Sequence, residues 1–241
     1  MFFAIDIDGT IAHDERDRGY ARYLNRMLHL GMRDEVLEQI ETLADLFCLP
    51  EVEAFVRREP DAEQLWRGAL KQAQHDAEVQ EGLVPLPGAV EGVKTLATLG
   101  TVAYITCRRG ESWERTSQWL KRHGFPAAER LFPCAHYHDK YVAVFMQAAS
   151  REPVVFIDDR VPDLIRSFKR LVGEQKEVAV SLYRRMGLLA FGYEALPERL
   201  PSSFVSRVPV GVLPSWTQLE SCLLKDMEGA YGPVVFWLGQ G

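Results

Sequence analysis

The sequence predicts an α/β fold built around a parallel β-sheet. Short apolar runs, rich in β-branched and aromatic residues, recur at residues 2–7, 101–106, 153–157, 178–183 and 208–213. Most are apolar at consecutive positions, which is typical of strands buried on both faces of a parallel sheet. The segments between residues 101 and 183 are long enough for the helical crossovers that parallel strands require. Each run is therefore predicted to be a strand of one sheet.

The long segment at residues 14–84 interrupts this alternation of strands and helices. It is far longer than one crossover helix and is rich in Glu, Arg, Leu, Ala and Gln. Its net charge is −7, whereas the rest of the chain carries +1. The turn-like sequence Pro85-Leu-Pro87-Gly88 closes the segment. This shift in composition predicts an all-helical subdomain, inserted into a core formed by residues 1–13 and 85–241.

The C-terminal region has a less regular pattern. Residues 190–205 are predicted to form a loop, because they contain two prolines and paired serines. Ser215 is a predicted N-cap of a short helix that ends near Leu224. The final apolar run, residues 234–238, leaves two interpretations open, an edge strand or a packing tail.

The composition argues against several classes of protein. The 241 residues are 47% hydrophobic and 26% charged, which is typical of a soluble globular protein. The net charge of −6 disfavours general nucleic-acid binding, which needs an excess of cations. No apolar stretch is long enough to span a membrane, and because the sequence opens directly into MFFAIDIDGT, no signal peptide is expected. The four cysteines form no CxxC pair and indicate free thiols, so we expect a cytoplasmic protein.

Two acidic residues follow the first predicted strand, in the sequence Asp6-Ile7-Asp8-Gly9-Thr10. Ligands of an open parallel sheet bind outside the carboxyl ends of its strands, which is where both carboxylates would lie. Two acids this close resist simultaneous ionisation unless a cation or a shared proton compensates. On its own, the motif leaves two interpretations open, a polar turn or a functional site.

Other polar side chains are predicted at the same edge of the sheet. They are Thr106, Cys107, Arg108 and Arg109 after the second strand, Lys140 near the start of a helix at residues 139–149, and Asp158 and Asp159 after the third strand. Carboxylate oxygens are ligands that Mg²⁺ prefers. Lys140 and Thr106 can donate hydrogen bonds to phosphate oxygens. The pattern indicates oxyanion chemistry with a hard metal ion.

These residues resemble the four motifs of the haloacid dehalogenase (HAD) superfamily, in the family's order. The sequence from Asp6 to Thr10 is similar to the first motif, Thr106 to the second, Lys140 to the third and the Asp158-Asp159 pair to the fourth. The resemblance covers about residues 1–13 and 85–225, and it implies a doubly wound, Rossmann-like core with a parallel sheet. Residues 14–84 lie where the family places its C1 helical cap.

The resemblance implies a role for each motif residue. Asp6 would be the nucleophile that attacks phosphorus and forms an aspartyl-phosphate. Asp8 would protonate the leaving oxygen and then activate water, while its backbone carbonyl binds the metal. Thr106 and Lys140 would hold the oxygens of the transferring phosphoryl group.

The metal ligands implied by the resemblance are Asp6, Asp8, Asp159 and Asp158. Asp159 and Asp163 match the family's DxxxD spacing, so Asp159 is predicted to be the direct ligand from the fourth motif. Asp158 would be an outer-sphere ligand or would brace Lys140, and the reverse assignment stays open. Gly9, Thr10, Cys107 and Arg108 are candidates for binding phosphate or substrate, although the Cys107 side chain is expected to serve packing.

The resemblance thus implies a Mg²⁺-dependent phosphatase that hydrolyses a small phosphorylated metabolite. Dehalogenases of the superfamily lack an acid at the position of Asp8, so dehalogenation is not expected. A phosphomutase acting on a sugar phosphate and a catalytically idle HAD-fold binding protein remain alternatives. No nucleic-acid or membrane partner is expected, and the oligomeric state is left open.

Two further patterns have simpler explanations. Arg18, Arg22 and Arg26 would form one stripe on a helix, and they are expected to pair with acids such as Glu35 and Glu38 rather than with substrate. His136 and His138 precede Lys140 and are expected to position a loop rather than to bind a metal.

Overall fold

The computed structural model describes residues 1–14, 17–108, 112–195, 200, 201, 204 and 208–221. Arg109, the predicted helix end at Leu224 and the apolar run at residues 234–238 lie outside these ranges. Within them, Cys48, Cys107 and Cys134 are free thiols, as predicted. None of the described helices combines the length and the apolarity needed to cross a lipid bilayer.

Six parallel strands form one sheet flanked by helices, which confirms the predicted α/β, Rossmann-like fold. The described strands are β1 (Phe2–Ile5), β2 (Ala12–Asp14), β3 (Leu83–Pro85), β4 (Thr101–Thr106), β5 (Leu131–Pro133), β6 (Val154–Asp158), β7 (Met186–Phe191) and β8 (Val210–Leu213). The described helices are α1 (Arg18–Leu28), α2 (Asp34–Leu37), α3 (Leu43–Leu46), α4 (Pro50–Arg58), α5 (Ala62–Ala73), α6 (Ala77–Gly82), α7 (Ala89–Leu99), α8 (Trp113–Arg122), α9 (Tyr137–Gln147), α10 (Val161–Glu174) and α11 (Lys176–Tyr183).

The order of the strands places β1 between β4 and β6 in the sheet. The six-stranded sheet runs β5-β4-β1-β6-β7-β8. In register, Phe2 of β1 lies opposite Thr101 of β4 and Val154 of β6. The chain builds outward from β1 through β4 and β5, then crosses to β6 on the other side of β1. The carboxyl ends of β4, β1 and β6 therefore meet at a topological switch point, where sheets of this kind bind ligands.

Alternate residues of the strands pack against helices on one face of the sheet. Phe2, Phe156 and Leu188 point to this face, where they meet side chains of α9, α10 and α11 in a single buried cluster. Tyr141 of α9 is fully buried there, and its hydroxyl donates to the carbonyl of Leu164 at 2.9 Å. Because α9 carries Lys140 beside this tyrosine, the same packing that forms the core fixes the lysine.

The chain divides into two compact units. One holds Met1–Ala12, Pro85–Trp113 and the chain from Ser117 onward, and the other holds His13–Val84 with Glu114–Thr116. The second unit has its own core, in which α1 packs on α5 and Leu24, Phe55 and Trp66 are buried. It is largely helical, as predicted for residues 14–84, but the short strands β2 and β3 at its ends were not expected.

The arginines of α1 pair with acids of the same unit. Arg18 contacts Glu38 at 3.2 Å, and Arg22 pairs with the same carboxylate. Arg26 pairs instead with Asp76 and Glu78, at 3.1 and 2.7 Å. The expected pairing is confirmed for Glu38, while the partners of Arg26 lie about fifty positions away along the chain and were not predicted.

The prediction of a strand at residues 178–183 is wrong, because this run forms most of helix α11. Polar residues open the helix, and its buried residues Ala179 and Leu182 are spaced as one helical face. The strand forms in the next apolar run, Met186–Phe191, where all six residues are buried. A run that is apolar at every position fits a strand covered on both faces, whereas Val180 is exposed.

The C-terminal predictions are confirmed in part. Strand β8 forms within the predicted run, but Ala190 and Phe191 belong to β7 rather than to the predicted loop at residues 190–205. A 3-10 turn begins at Trp216, directly after Ser215, although the serine side chain makes no capping hydrogen bond. The three-residue strand β5 was not predicted.

Candidate active site

The chain turns sharply after β1 and places Asp6, Asp8 and Thr10 on one loop. The carbonyl of Ile7 accepts hydrogen bonds from the backbone N–H groups of Thr10, Ile11 and Ala12, at 3.2, 2.9 and 3.0 Å. Gly9 has a φ of +77°, in the left-handed region that favours glycine. A Cβ at this position would lie 2.4 Å from Asp159 Oδ2. The motif therefore requires glycine for its turn and for the close approach of Asp159.

Lys140 connects two carboxylates of the site. Its Nζ donates to Asp6 Oδ1 at 2.8 Å and to Asp158 Oδ2 at 2.7 Å. The lysine is only 2% exposed, and its ammonium lies 4.4 Å from the centre of the Tyr137 ring, one helical turn earlier in α9. Burial lowers the pKa of Lys140, but the charges of Asp158 and Asp6 outweigh it and hold the pKa well above its usual value. Lys140 is thus a fixed cation between the first and fourth motifs.

Asp8 has a different partner. Arg108 donates to it through two nitrogens, Nη2 to Oδ1 at 2.6 Å and Nε to Oδ2 at 3.0 Å. This bidentate arrangement fixes the orientation of the carboxylate as well as its position. The backbone N–H of Arg108 also donates to Thr106 Oγ1 at 3.2 Å. The arginine is buried, whereas the Asp8 side chain is 35% exposed.

The two acids of the fourth motif have contrasting environments. Both oxygens of Asp158 have a donor: Oδ2 accepts from Lys140, and Oδ1 accepts from the backbone N–H of Arg160 at 2.7 Å. The backbone N–H of Asp159 donates to Thr10 Oγ1 at 3.1 Å, but Asp159 Oδ1 is buried without a hydrogen-bond partner. Burial, with the nearby charge of Asp158, raises the pKa of Asp159 to about 6. A buried carboxylate oxygen with no partner is costly unless something else binds it.

The residues fit a divalent cation bound by oxygen ligands. Carboxylate oxygens of Asp6, Asp158 and Asp159 all lie within 4.8 Å of one another. Burial raises the pKa of Asp6 to about 8, against the opposing charge of Lys140. When all four acids, Asp8 included, are ionised around a bound cation, they face the two basic side chains Lys140 and Arg108, which leaves two negative charges. Oxygen-only donors with this charge suit a hard ion such as Mg²⁺.

The structure brings most of the predicted residues together. Thr106 is buried at the end of β4, and Thr10 is buried within the loop. The carboxylate of Asp8 lies on Arg108 and is not part of the cluster of Asp6, Asp158 and Asp159. Asp163 is not part of that cluster either, because it pairs with Arg160 and Arg166.

Cys107 and the histidines have structural surroundings. Cys107 packs against the core cluster, and burial raises the pKa of its thiol to about 11, so the thiol is not activated. His136 caps α9 together with Asp139, and its ring stacks on that of His138 at 5.4 Å. Among the described residues, neither histidine belongs to a cluster of possible metal ligands.

Two contacts of the site were not predicted from the sequence. Tyr137 covers Lys140, and its position three residues earlier on a helix was an available signal. Trp216 donates its indole N–H to the carbonyl of Thr10 at 2.5 Å. These two residues are 206 positions apart, so no local pattern could have connected them.

Comparison with known proteins gives structural matches alone. No protein-family model and no curated protein matches the chain, whereas 37 chains of solved structures do. Several of these are described as haloacid dehalogenase-like proteins.

Three of these structures have similar scores. A haloacid dehalogenase-like protein of unknown function from Agrobacterium tumefaciens has a TM-score of 0.46 and 14% identity, over 94% of this chain and 98% of that one. A haloacid dehalogenase-like family hydrolase from Xanthomonas campestris has a TM-score of 0.47 and 15% identity, over 93% of this chain and 91% of that one. A 2-haloacid dehalogenase from Pseudomonas syringae has a TM-score of 0.47 and 17% identity, over 93% of this chain and 98% of that one. At these identities and scores, the chemistry of this chain has to be inferred from its own side chains.

Proposed function

We propose that this protein is a Mg²⁺-dependent phosphatase that hydrolyses a small phosphomonoester through an aspartyl-phosphate on Asp6. One observation supports this function above the others. Asp6 and Asp8 leave the same strand end, yet Asp6 is buried on Lys140 while Asp8 is half-buried on Arg108. Two neighbouring carboxylates in different environments are suited to different roles in one reaction.

Asp6 is the proposed nucleophile. Lys140 holds Oδ1, so Oδ2 is the atom that would attack phosphorus. A bond forms between this oxygen and phosphorus while the ester P–O bond breaks, and the leaving oxygen takes a proton from Asp8. Water then attacks the phosphorus of the aspartyl-phosphate and gives a proton to Asp8. This attack breaks the bond between phosphorus and the Asp6 oxygen and releases phosphate.

The contact between Arg108 and Asp8 has to change during this reaction. Both oxygens of Asp8 accept hydrogen bonds from its guanidinium. One oxygen of Asp8 has to be released before it can carry the proton that the leaving group takes. A substrate phosphate is a natural competitor for the guanidinium, since arginine binds phosphate and carboxylate with the same geometry. Arg108, Lys140 and the hydroxyl of Thr106 would then hold the phosphoryl oxygens.

Asp6, Asp159 and the backbone carbonyl of Asp8 are the proposed ligands of Mg²⁺. Asp158, whose two oxygens are already bonded to Lys140 and Arg160, is proposed to brace the lysine. When bound, the ion neutralises the negative charge of the carboxylates and of the phosphoryl group. The unpartnered Oδ1 of Asp159 supports its assignment as the direct ligand from the fourth motif.

The presence of Asp8 favours phosphate transfer over dehalogenation, as the resemblance to the family's phosphatases implies. The helical unit, residues His13–Val84, is proposed to be the C1 cap that limits the enzyme to small substrates. We also propose that the protein acts in the cytoplasm.

Phosphate release from an aryl phosphate and a panel of phosphorylated metabolites tests the proposal. Wild type with Mg²⁺ is expected to release phosphate, while Asp6→Asn and an EDTA-treated sample are not. Asp61→Asn, an exposed aspartate of the helical unit, serves as the matched control and should keep full activity. Isomerisation of a sugar phosphate without net release would show a phosphomutase instead. Equal activity in wild type and Asp6→Asn would contradict the proposed nucleophile.

A further inference from the structure

Trp216, in the 3-10 turn after β8, contacts the loop of the first motif. It is 2% exposed, and its indole N–H donates to the carbonyl of Thr10 at 2.5 Å. Thr10 is itself fully buried. The last described segment of the chain therefore holds the backbone of the loop that carries Asp6 and Asp8.

Thr10 also contacts the fourth motif. Its hydroxyl accepts the backbone N–H of Asp159 at 3.1 Å, while its carbonyl accepts from Trp216. Asp159 also lies directly against Gly9, the residue before Thr10. A displacement of Thr10 would change both of these contacts and would move the carboxylate with the unpartnered oxygen.

The indole lies in a tightly fitted pocket of the core unit. Gly92 of α7 leaves room for it, because a Cβ there would lie 2.5 Å from Trp216 Cε3. The ring of Phe191, at the end of β7, packs on the indole with 5.5 Å between centroids. A side chain fixed in this way on two elements can position the atom to which it donates.

We propose that Trp216 is a positioning residue for the Mg²⁺ site, acting through Thr10 on Asp159. This inference rests on the proposed function. Removing the indole N–H leaves the buried carbonyl of Thr10 without this donor, which is unfavourable unless the loop moves. Residues that orient metal ligands typically change metal affinity by about 10-fold to 100-fold when replaced.

The test measures Mg²⁺ binding by calorimetry, without substrate, in two variants that disturb the contact from opposite sides. Trp216→Phe keeps an aromatic ring but loses the N–H. Gly92→Ala keeps Trp216 but displaces its ring. Trp119→Phe is the matched control, since this buried tryptophan of α8 stacks on Phe125 rather than on the loop of the first motif. Circular dichroism and the melting temperature establish that each variant is folded.

We expect both variants to bind Mg²⁺ about 10-fold or more weakly than wild type, while Trp119→Phe binds with the wild-type affinity. Thr10→Val should weaken binding similarly, and combining it with Trp216→Phe should add little, because both act through one residue. Thr10→Ser keeps the hydroxyl, so it should bind Mg²⁺ with the wild-type affinity, unlike Thr10→Val. If wild type binds Mg²⁺ and folded Trp216→Phe binds equally well, this inference alone is overturned. If wild type binds no Mg²⁺, the proposed metal site fails and the inference fails with it.

Discussion

Replacing Lys140 by methionine removes the one ammonium that Asp6 and Asp158 share. All three side chains are buried, and the lysine donates to the two carboxylates at 2.8 and 2.7 Å. Removing one partner of a buried ion pair costs about 3–5 kcal/mol, because the other charge stays buried and uncompensated. We therefore expect a loss within this range in the unfolding free energy at neutral pH.

The loss should depend on pH in a defined direction. Burial already raises the folded-state pKa of Asp6 above its usual 3.8, and Lys140 opposes this shift. Without the lysine, the pKa rises further, so the folded variant takes up protons that the unfolded chain does not. Its stability is therefore retained at low pH and lost as the pH rises from the unfolded towards the folded pKa. Because wild-type Asp6 loses its proton near pH 8 while the variant keeps it, the deficit relative to wild type should be larger near pH 9 than at neutral pH.

Urea unfolding of the Mg²⁺-free proteins, followed by circular dichroism at both pH values, measures this effect. Lys169→Met, at an exposed position of α10, is the control and should change the unfolding free energy by no more than about 0.5 kcal/mol. A loss below about 1 kcal/mol for Lys140→Met at neutral pH, or an equal loss at both pH values, would refute the ion-pair account.

Three further predictions concern the loop, the metal and the arginine. Gly9→Ala should abolish Mg²⁺ binding in calorimetry, because its Cβ would lie 2.4 Å from Asp159 Oδ2; Gly124→Ala has the same φ of +77° but nothing within 4 Å, so it should lose only stability. Mg²⁺ affinity should increase as the pH rises from 5 towards 7, because burial raises the pKa of Asp159 to about 6 and the metal must displace its proton. Calorimetry in two buffers of different ionisation enthalpy would detect the released proton, and a pH-independent affinity would contradict this. Arg108→Lys loses the bidentate contact with Asp8 and should lower kcat by about 100-fold in steady-state phosphate release, through misplacement of the acid; an unchanged kcat would exclude this role.

The sequence predicted the sheet better than it predicted which apolar run belongs to it. Strands β1, β4 and β8 lie within predicted runs and β6 extends one residue beyond its run, because their side chains are apolar at successive positions. Between α10 and β7, however, two apolar runs follow each other closely. Residues 178–183 form a helix, whereas Met186–Phe191 form a strand. Only one strand can pair with the side of β6 that faces away from β1, and the second run, which is buried at every position, occupies this place. Competition of this kind is decided by tertiary packing, which a local pattern does not contain.

For the site, the sequence indicated which residues meet, and the resemblance implied contact of Asp158 with Lys140 as one alternative, but no partner was predicted for Asp8. The ends of β1, β4 and β6 place Asp6, Thr106 and Asp158 at one edge, and parallel-sheet topology alone implies this. The pairing of Arg108 with Asp8 depends on side-chain directions that only the structure shows. Trp216 was beyond sequence reasoning, because its partner is a backbone carbonyl and any residue at position 10 would offer one.

The most direct test of the proposed chemistry is to trap phosphate on Asp6. The Asp8→Asn variant is mixed with a labelled aryl phosphate, whose phenolate leaves without needing a proton, and the reaction is quenched rapidly in acid. Because Asp8 is the proposed base of the second step, the account predicts that a phosphorylated peptide containing Asp6 accumulates in this variant and is absent when Asp6 is also replaced by asparagine. Release of phosphate with the label on no peptide, or on a peptide without Asp6, would contradict the account.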